Sequence, residues 1–269
     1  LKKKAIQIRK QAIQMTYRAN GGHLGGVLSS IDILVVLYYA VMKIDPKRPD
    51  WEDRDRFVLS KGHSVEGYYA ILSDLGFFPK EELSTYRKYK SRLIGHPSNK
   101  VPGIEVNTGA LGHGLSVAVG MALAGKMDKK SRRVYVLMGD GEQAEGSIWE
   151  AAMAGSHYKL DNLVGIVDRN RLQISGCTED VIALEDLKAK WCSFGWEVVE
   201  VDGHNIEELL ECFKKIPTVK GKPHLMIANT IKGKGVSFME NQRQWHHKVP
   251  NDEELKQALS ELELKMREV

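Results

Sequence analysis

From Arg56 to Thr230 the chain repeats one pattern, a short apolar run followed by a stretch of helical spacing. The runs RFVLS (56–60), RVYVLM (133–138), LVGIVD (163–168), WEVVEVDG (196–203) and PHLMIANT (223–230) are rich in β-branched and aromatic residues and predict five strands. Helices are predicted at 65–76, closed by Gly76, at 115–125, 145–158 and 205–214, and at 252–266 near the end. The first nineteen residues place Ile8, Ala12, Met15 and Ala19 on one helical face. In LSVAVGMALAG the small residues Ser116, Ala118, Gly120, Ala122 and Ala124 predict a closely packed helix. Strands that alternate with helices pair in parallel and are covered on both sides. The expected fold is therefore α/β, a parallel sheet with helices on both faces. A single domain over 1–269 is expected, because no repeat or linker interrupts the pattern. In such sheets ligands sit beyond the carboxyl ends of the strands.

Composition narrows the function classes. The net charge is only +4 and the basic residues are scattered, which gives nucleic-acid binding no support. Cys177, Cys192 and Cys212 show neither CxxC spacing nor histidine-rich surroundings, which argues against a disulfide framework or a zinc site. Charged residues and glutamine interrupt the first twenty positions, so no signal peptide is read there and a cytoplasmic protein is expected. The apolar stretch from Ile31 to Met42 contains Asp32 and reads as a buried helix, capped by Ser29 or Ser30 and too short to cross a bilayer.

One junction carries chemistry. The run ending at Met138 stops at Gly139-Asp140-Gly141, and a helical segment follows. A helix that starts directly after a strand offers free N–H groups to a phosphate, and glycine lets the backbone come close to it. The aspartate would repel that phosphate unless a divalent cation lay between them. Magnesium fits such a place, since it takes carboxylate, amide and carbonyl oxygens together with phosphate. Asn170, just past the 163–168 strand, and the carbonyl of Leu172 would supply the further oxygens. Alone, the tripeptide reads equally well as a tight turn. The strand before it, the helix after it and the asparagine at the next strand end favour a diphosphate–metal site.

Gly139-Asp140-Gly141, an acidic helix, an apolar strand and Asn170 together resemble the thiamine diphosphate fingerprint. The resemblance implies that Asp140, Asn170 and the Leu172 carbonyl bind Mg2+, which Ca2+ or Mn2+ replaces. It further implies that Gly141 contacts the diphosphate and that Ile174 packs near the thiazolium ring. The loops GGHLGG (His23), SKGHS (Lys61, His63), GHPSN (His96), TGALGHG (109–114 for its glycine-bounded part) and WHHK (245–248) resemble transketolase from about residue 5 to about residue 250. That enzyme moves a two-carbon ketol unit from a ketose phosphate to an aldose, and its proton transfers need bases near neutral pKa. The resemblance implies catalytic roles for His23, His63, His96 and His246, with His63 and His246 also beside the cofactor. Gly109, Ala110 and Leu111 would line the cofactor, and Lys232 matches a cofactor-side lysine or else a solvated one. Glu145 and Glu150 match acidic positions near a dimer interface, and also suit an ordinary first helical turn. His157, His204 and His224 lie outside the motifs and read as structural.

Leu24 stands where many relatives have proline, His113 where glutamine is usual and His247 where glycine is usual, while Ser98 and Asn99 replace a common acid. These departures bear on substrate preference. The family's pyrimidine-binding and C-terminal domains, with the glutamate that activates the cofactor, have no counterpart here. The resemblance thus implies an N-terminal subunit of a split transketolase. Its partner would be a C-terminal subunit, in a dimer of heterodimers acting on sugar phosphates or related sugars. Two competing readings are the α subunit of a 2-oxo acid dehydrogenase, which would not need His23, His63 and His96, and a fragment like 1-deoxyxylulose phosphate synthase. A magnesium–nucleotide module lacks the GxxxxGK[ST] loop it would require.

Overall fold

A computed structural model describes residues 1–269. It holds one parallel sheet in the order β1-β2-β3-β5-β4, with β1 Arg56–Leu59, β2 Val134–Gly139, β3 Leu163–Arg169, β4 Glu197–Asp202 and β5 His224–Asn229. The helices are α1 Lys2–Ala19, α2 Leu24–Val36, α3 Val65–Leu75, α4 His113–Met127, α5 Gly146–His157, α6 Thr178–Val181, α7 Leu187–Ser193, α8 Ile206–Lys215 and α9 Asp252–Glu268.

The period of two along the strands sends side chains to opposite faces, and both faces are apolar. Phe57, Leu59, Tyr135, Leu137, Val164, Ile166 and Met226 join a core with residues of α1, α2 and α3. Val58, Val134, Val136, Met138, Leu163, Val167 and Leu225 join a second core with α4, α5 and Trp191 of α7. Helices thus cover both faces, as expected. The register pairs Gly139 with Asp168 and Arg169 with Asn229. The loops after β2, β3 and β5 therefore leave the sheet side by side.

Several expectations need correction. The buried helix begins at Leu24, with His23 at its N-cap, and Ser29 and Ser30 lie inside it. Their hydroxyls donate back to the Gly26 carbonyl at 3.1 and 3.0 Å, an intrahelical bond that replaces the expected cap. Gly25 and Gly26 read as a break, yet both sit in the helix because a Cβ on either would strike a neighbour. Gly25 lies against Lys232 and the Trp245 carbonyl, Gly26 against Ser64. With its π-helical extension Leu37–Val41, this span is long and apolar enough to cross a membrane, contrary to the length expected for it. With 83% of the span buried inside the domain, it is the core helix. On α4 only Ala118 and Ala122 are buried, while Ser116, Gly120 and Ala124 face outward. The turns α6 and α7 lie in a segment with no predicted element.

Candidate active site

β2 ends at Gly139, and Asp140 begins a 3-10 turn, Gly141–Ala144, before α5 starts at Gly146. The helix expected directly after the strand is displaced because Glu142 turns inward. Its carboxylate accepts the N–H groups of Gly112 at 2.8 Å and Gly139 at 2.9 Å, and the Ser60 hydroxyl. One buried acid thereby ties the end of β1, the 109–114 loop and the Asp140 turn together. Asp140 accepts from the N–H of Gly141 at 2.8 Å and of Arg171 at 2.5 Å, and from the Arg169 guanidinium at 3.4 Å.

A cavity of about 320 Å3 opens beyond these strand ends. His63, Leu111, Asp140, Gly141, Asn170, Leu172, Ile174, Lys232 and His246 all line it, and so does Glu145. His23, His96, Gly109, Ala110 and Glu150 do not. His23 stands just behind, its ring centroid 5.2 Å from that of His63, 5.7 Å from His246 and 4.8 Å from His247. The His96 ring covers Gly109, where φ is 138° and a Cβ would lie 2.8 Å from the ring; only glycine serves both needs. Ala110 is exposed beside His113, and Glu150 is exposed on α5. The site thus has an oxygen-rich lobe around Asp140 and a histidine lobe around His23, joined through His63 and His246. A second cavity of about 370 Å3 lies between β4 and α8 at the sheet's edge, away from the strand ends.

The solvated reading of Lys232 is overturned. It is 2% exposed, and its ammonium donates to the Leu172 carbonyl at 2.9 Å. Burial, aided by the nearby Lys61 charge, lowers its pKa to about 8. Lys61 is itself buried against Asp168 and donates to the Gly26 carbonyl at 2.8 Å. Asp168 also accepts from Ser29 at 2.6 Å, from Asn170 at 3.3 Å and from Thr230. Burial alone would raise the Asp168 carboxyl, but Lys61 and these hydroxyl donors hold it below its ordinary value. Asp140 moves the other way, raised by burial and by the Asp168 charge. Glu66, fully buried, accepts the His23 N–H at 3.1 Å and the Tyr86 hydroxyl at 2.8 Å, and burial lifts its pKa to about 7. Glu142, Asp168 and Glu66 are absent from the sequence-derived site, since nothing in a single acid beside an apolar run reveals partners so far along the chain.

Burial, reinforced by neighbouring rings and cations, lowers His23 to about 4 and His246 to about 3, and takes His63 well down. Burial and Arg87 lower His96. A lowered value means the ring sheds its proton at lower pH than usual. At about pH 6, where an ordinary histidine is mostly charged, His23, His63 and His246 should be neutral. Nitrogen chemical shifts of 15N-labelled histidine check this, and a His23 or His246 ring titrating near its ordinary value would refute it.

The donors suit a hard divalent cation. A carboxylate, a side-chain amide and a backbone carbonyl line one lobe, and the Leu172 carbonyl already takes a cationic partner in Lys232. No cluster of three or more His, Cys, Asp or Glu side chains forms a metal cage, so any ion here would need ligand oxygens such as phosphate to complete its shell. Gly141 shapes the floor, where a Cβ would come within 3.0 Å of the Gln173 side chain. His23 and His246 each leave a buried Nδ1 without a partner, free for a ligand's hydroxyl.

Comparison with known proteins agrees with this geometry. The family model described as "Transketolase, thiamine diphosphate binding domain" matches residues 1–268. One of two subunits that make up an apulose-4-phosphate transketolase in Phocaeicola vulgatus is 54% identical over 254 residues, 94% of this chain and 90% of that protein. A 6-deoxy-6-sulfo-D-fructose transketolase subunit from a Clostridium species is 43% identical, covering 98% of this chain and 96% of its own length. The transketolase structure from Campylobacter jejuni superposes with a TM-score of 0.92 at 33% identity, over 97% of this chain but only 42% of that one. The chain thus spans less than half of the solved transketolase it matches.

Proposed function

Because the chain belongs to the transketolase family, through its thiamine diphosphate-binding domain, we propose that it is the diphosphate-holding subunit of a two-chain transketolase. The observation that carries this reading is one cavity joining three oxygen donors, around Asp140, to a group of neutral histidines. The near-full mutual coverage with relatives named as subunits supports the two-chain form.

In this reading Asp140, Asn170 and the Leu172 carbonyl hold Mg2+, while Gly141 and Lys232 receive the diphosphate. When bound, the thiazolium supplies the electron sink that ketol cleavage needs. The remaining chemistry falls to this chain's own side chains. Leu111 and Ile174 flank the ring and limit water, with Gly109 and Ala110 on the approach. His23, His63, His96 and His246 accept and return protons of the sugar hydroxyls, which neutral rings can do at physiological pH. His247, where the family resemblance has glycine, adds a ring beside His23 and narrows that lobe.

The exposed face of α4, with open space over Gly120 and over Gly146 at the start of α5, together with exposed Glu145 and Glu150, is our candidate seat for the partner subunit. The pair would act on a ketose carrying an anionic group, and the relatives' names make apulose 4-phosphate and 6-deoxy-6-sulfo-fructose the first donors to try. The test assays each chain alone and then both together, with thiamine diphosphate, Mg2+ and an aldose acceptor. Ketol transfer should appear only on mixing. Full turnover by this chain by itself would refute the two-chain reading.

A further inference from the structure

His204 sits in the turn after β4, lines no part of the cavity, and reads from sequence as structural. Both its ring nitrogens are engaged. Nε2 accepts the backbone N–H of Ile231 at 2.8 Å, which leaves the proton on Nδ1, donated to the Asp32 carboxylate at 2.8 Å. Asp32 is gripped from its other side by Arg9, through Nη1 at 3.0 Å and Nη2 at 2.6 Å. Arg9 then reaches the same loop as His204, since its Nε donates to the Lys234 carbonyl at 3.0 Å. Arg9 is 5% exposed and Asp32 6%, while the His204 side chain is 11% exposed. His204 and Arg9 therefore hold the backbone on either side of Lys232, two residues of α1 and α2 having been recruited to fix a loop after β5. Gly233 N–H to the Gly25 carbonyl, at 3.0 Å, adds a third tie.

We propose that Arg9, Asp32 and His204 form a buried brace whose task is to hold the Lys232 ammonium on the Leu172 carbonyl, at the oxygen-rich lobe of the cavity. His204 is a positioning residue, for it touches neither lobe and acts only through the Ile231 amide. The carboxylate fixes the tautomer, because an Nδ1–H facing Asp32 leaves Nε2 bare to accept Ile231. The link to cofactor binding rests on the reading of Lys232 as a diphosphate-side group.

The first test needs no cofactor. Acetylation of the full chain at fixed pH, followed residue by residue by mass spectrometry, should label Lys232 about tenfold faster in His204→Ala than in the unchanged chain. Exposed lysines such as Lys214 serve as the internal reference. His204→Gln, whose amide can donate to Asp32 and accept from Ile231, should restore slow labelling. Hydrogen exchange on the unmodified chain gives a second reading free of folding defects, and the Ile231 amide should be as protected as the β5 amides. An unchanged Lys232 rate, a rise shared by all lysines, or a fast-exchanging Ile231 amide would each overturn the brace. Both readouts decide it whether or not thiamine diphosphate binds. In the assembled pair with Mg2+, His204→Ala should weaken thiamine diphosphate about tenfold, and less than about twofold when Lys232→Met is already present. Equal losses in both backgrounds would refute action through Lys232.

Discussion

Replacing Asp140 and Asn170 together by alanine should lower the affinity of the assembled pair for thiamine diphosphate in Mg2+ by at least about 100-fold. The size follows from what the two side chains do in the lobe. Magnesium demands near-octahedral oxygen and gives up water reluctantly, so a site with few protein donors cannot lose two and keep the ion. Without the ion, a diphosphate entering the lobe meets the remaining acid, Asp168, with Lys61 already committed to it. Asp140 is 2% exposed and its carboxyl is raised by burial and by the Asp168 charge, so the folded chain holds it at a cost that a bound cation would relieve. The same double replacement should therefore leave the melting temperature of the cofactor-free chain little changed. Calorimetric titration of the pair checks the first half and thermal unfolding the second. Undiminished affinity would remove the basis for a metal-bridged diphosphate here.

The sheet was legible because each strand is bounded by polar or glycine positions and alternates between two apolar cores. Asp140 and Asn170 were legible for a related reason: a strand end is a place where a short polar side chain has no packing role, so its presence asks for another. The start of α2 was hidden because Gly25 and Gly26 have poor helix propensity, and the contact that selects them, with Lys232, Trp245 and Ser64, is formed only in the folded chain. Glu142 was hidden by its turn, where a solvated acid is the ordinary expectation. The hardest to see was the Lys61–Asp168 pair, whose members lie 107 residues apart. Asp168 closes an apolar run and looks like a strand-ending acid, and Lys61 looks like a loop cation. Only the parallel register of β1, β2 and β3 brings the two loops close enough to bury both charges. His204 shows the same limit, because its partners come from α2 and from the loop after β5.

That buried pair gives the largest stability effect expected in the chain. Lys61→Met keeps the stem but leaves Asp168, 0% exposed, with the hydroxyls of Ser29 and Thr230 and the Asn170 amide as its only donors. Breaking a buried ion pair at one end costs about 3–5 kcal/mol, since the other charge stays behind uncompensated. For a domain of this size the melting temperature should fall by on the order of 10 °C. Adding Asp168→Asn should recover much of the loss, because the variant pair then buries no charge. The pH dependence distinguishes charge from packing. In the unchanged chain the Asp168 carboxyl is depressed, so its contribution is fully present above its ordinary value and is lost only as pH falls through the depressed one. In Lys61→Met the same carboxyl loses its cation and burial takes over, so its pKa rises and the variant is penalised progressively as pH increases through that raised value. The gap in melting temperature between the two chains should therefore narrow as pH drops from about 7 to about 5. A gap that stays constant over that range would assign the cost to lost packing around the Lys61 stem instead of to a stranded carboxylate.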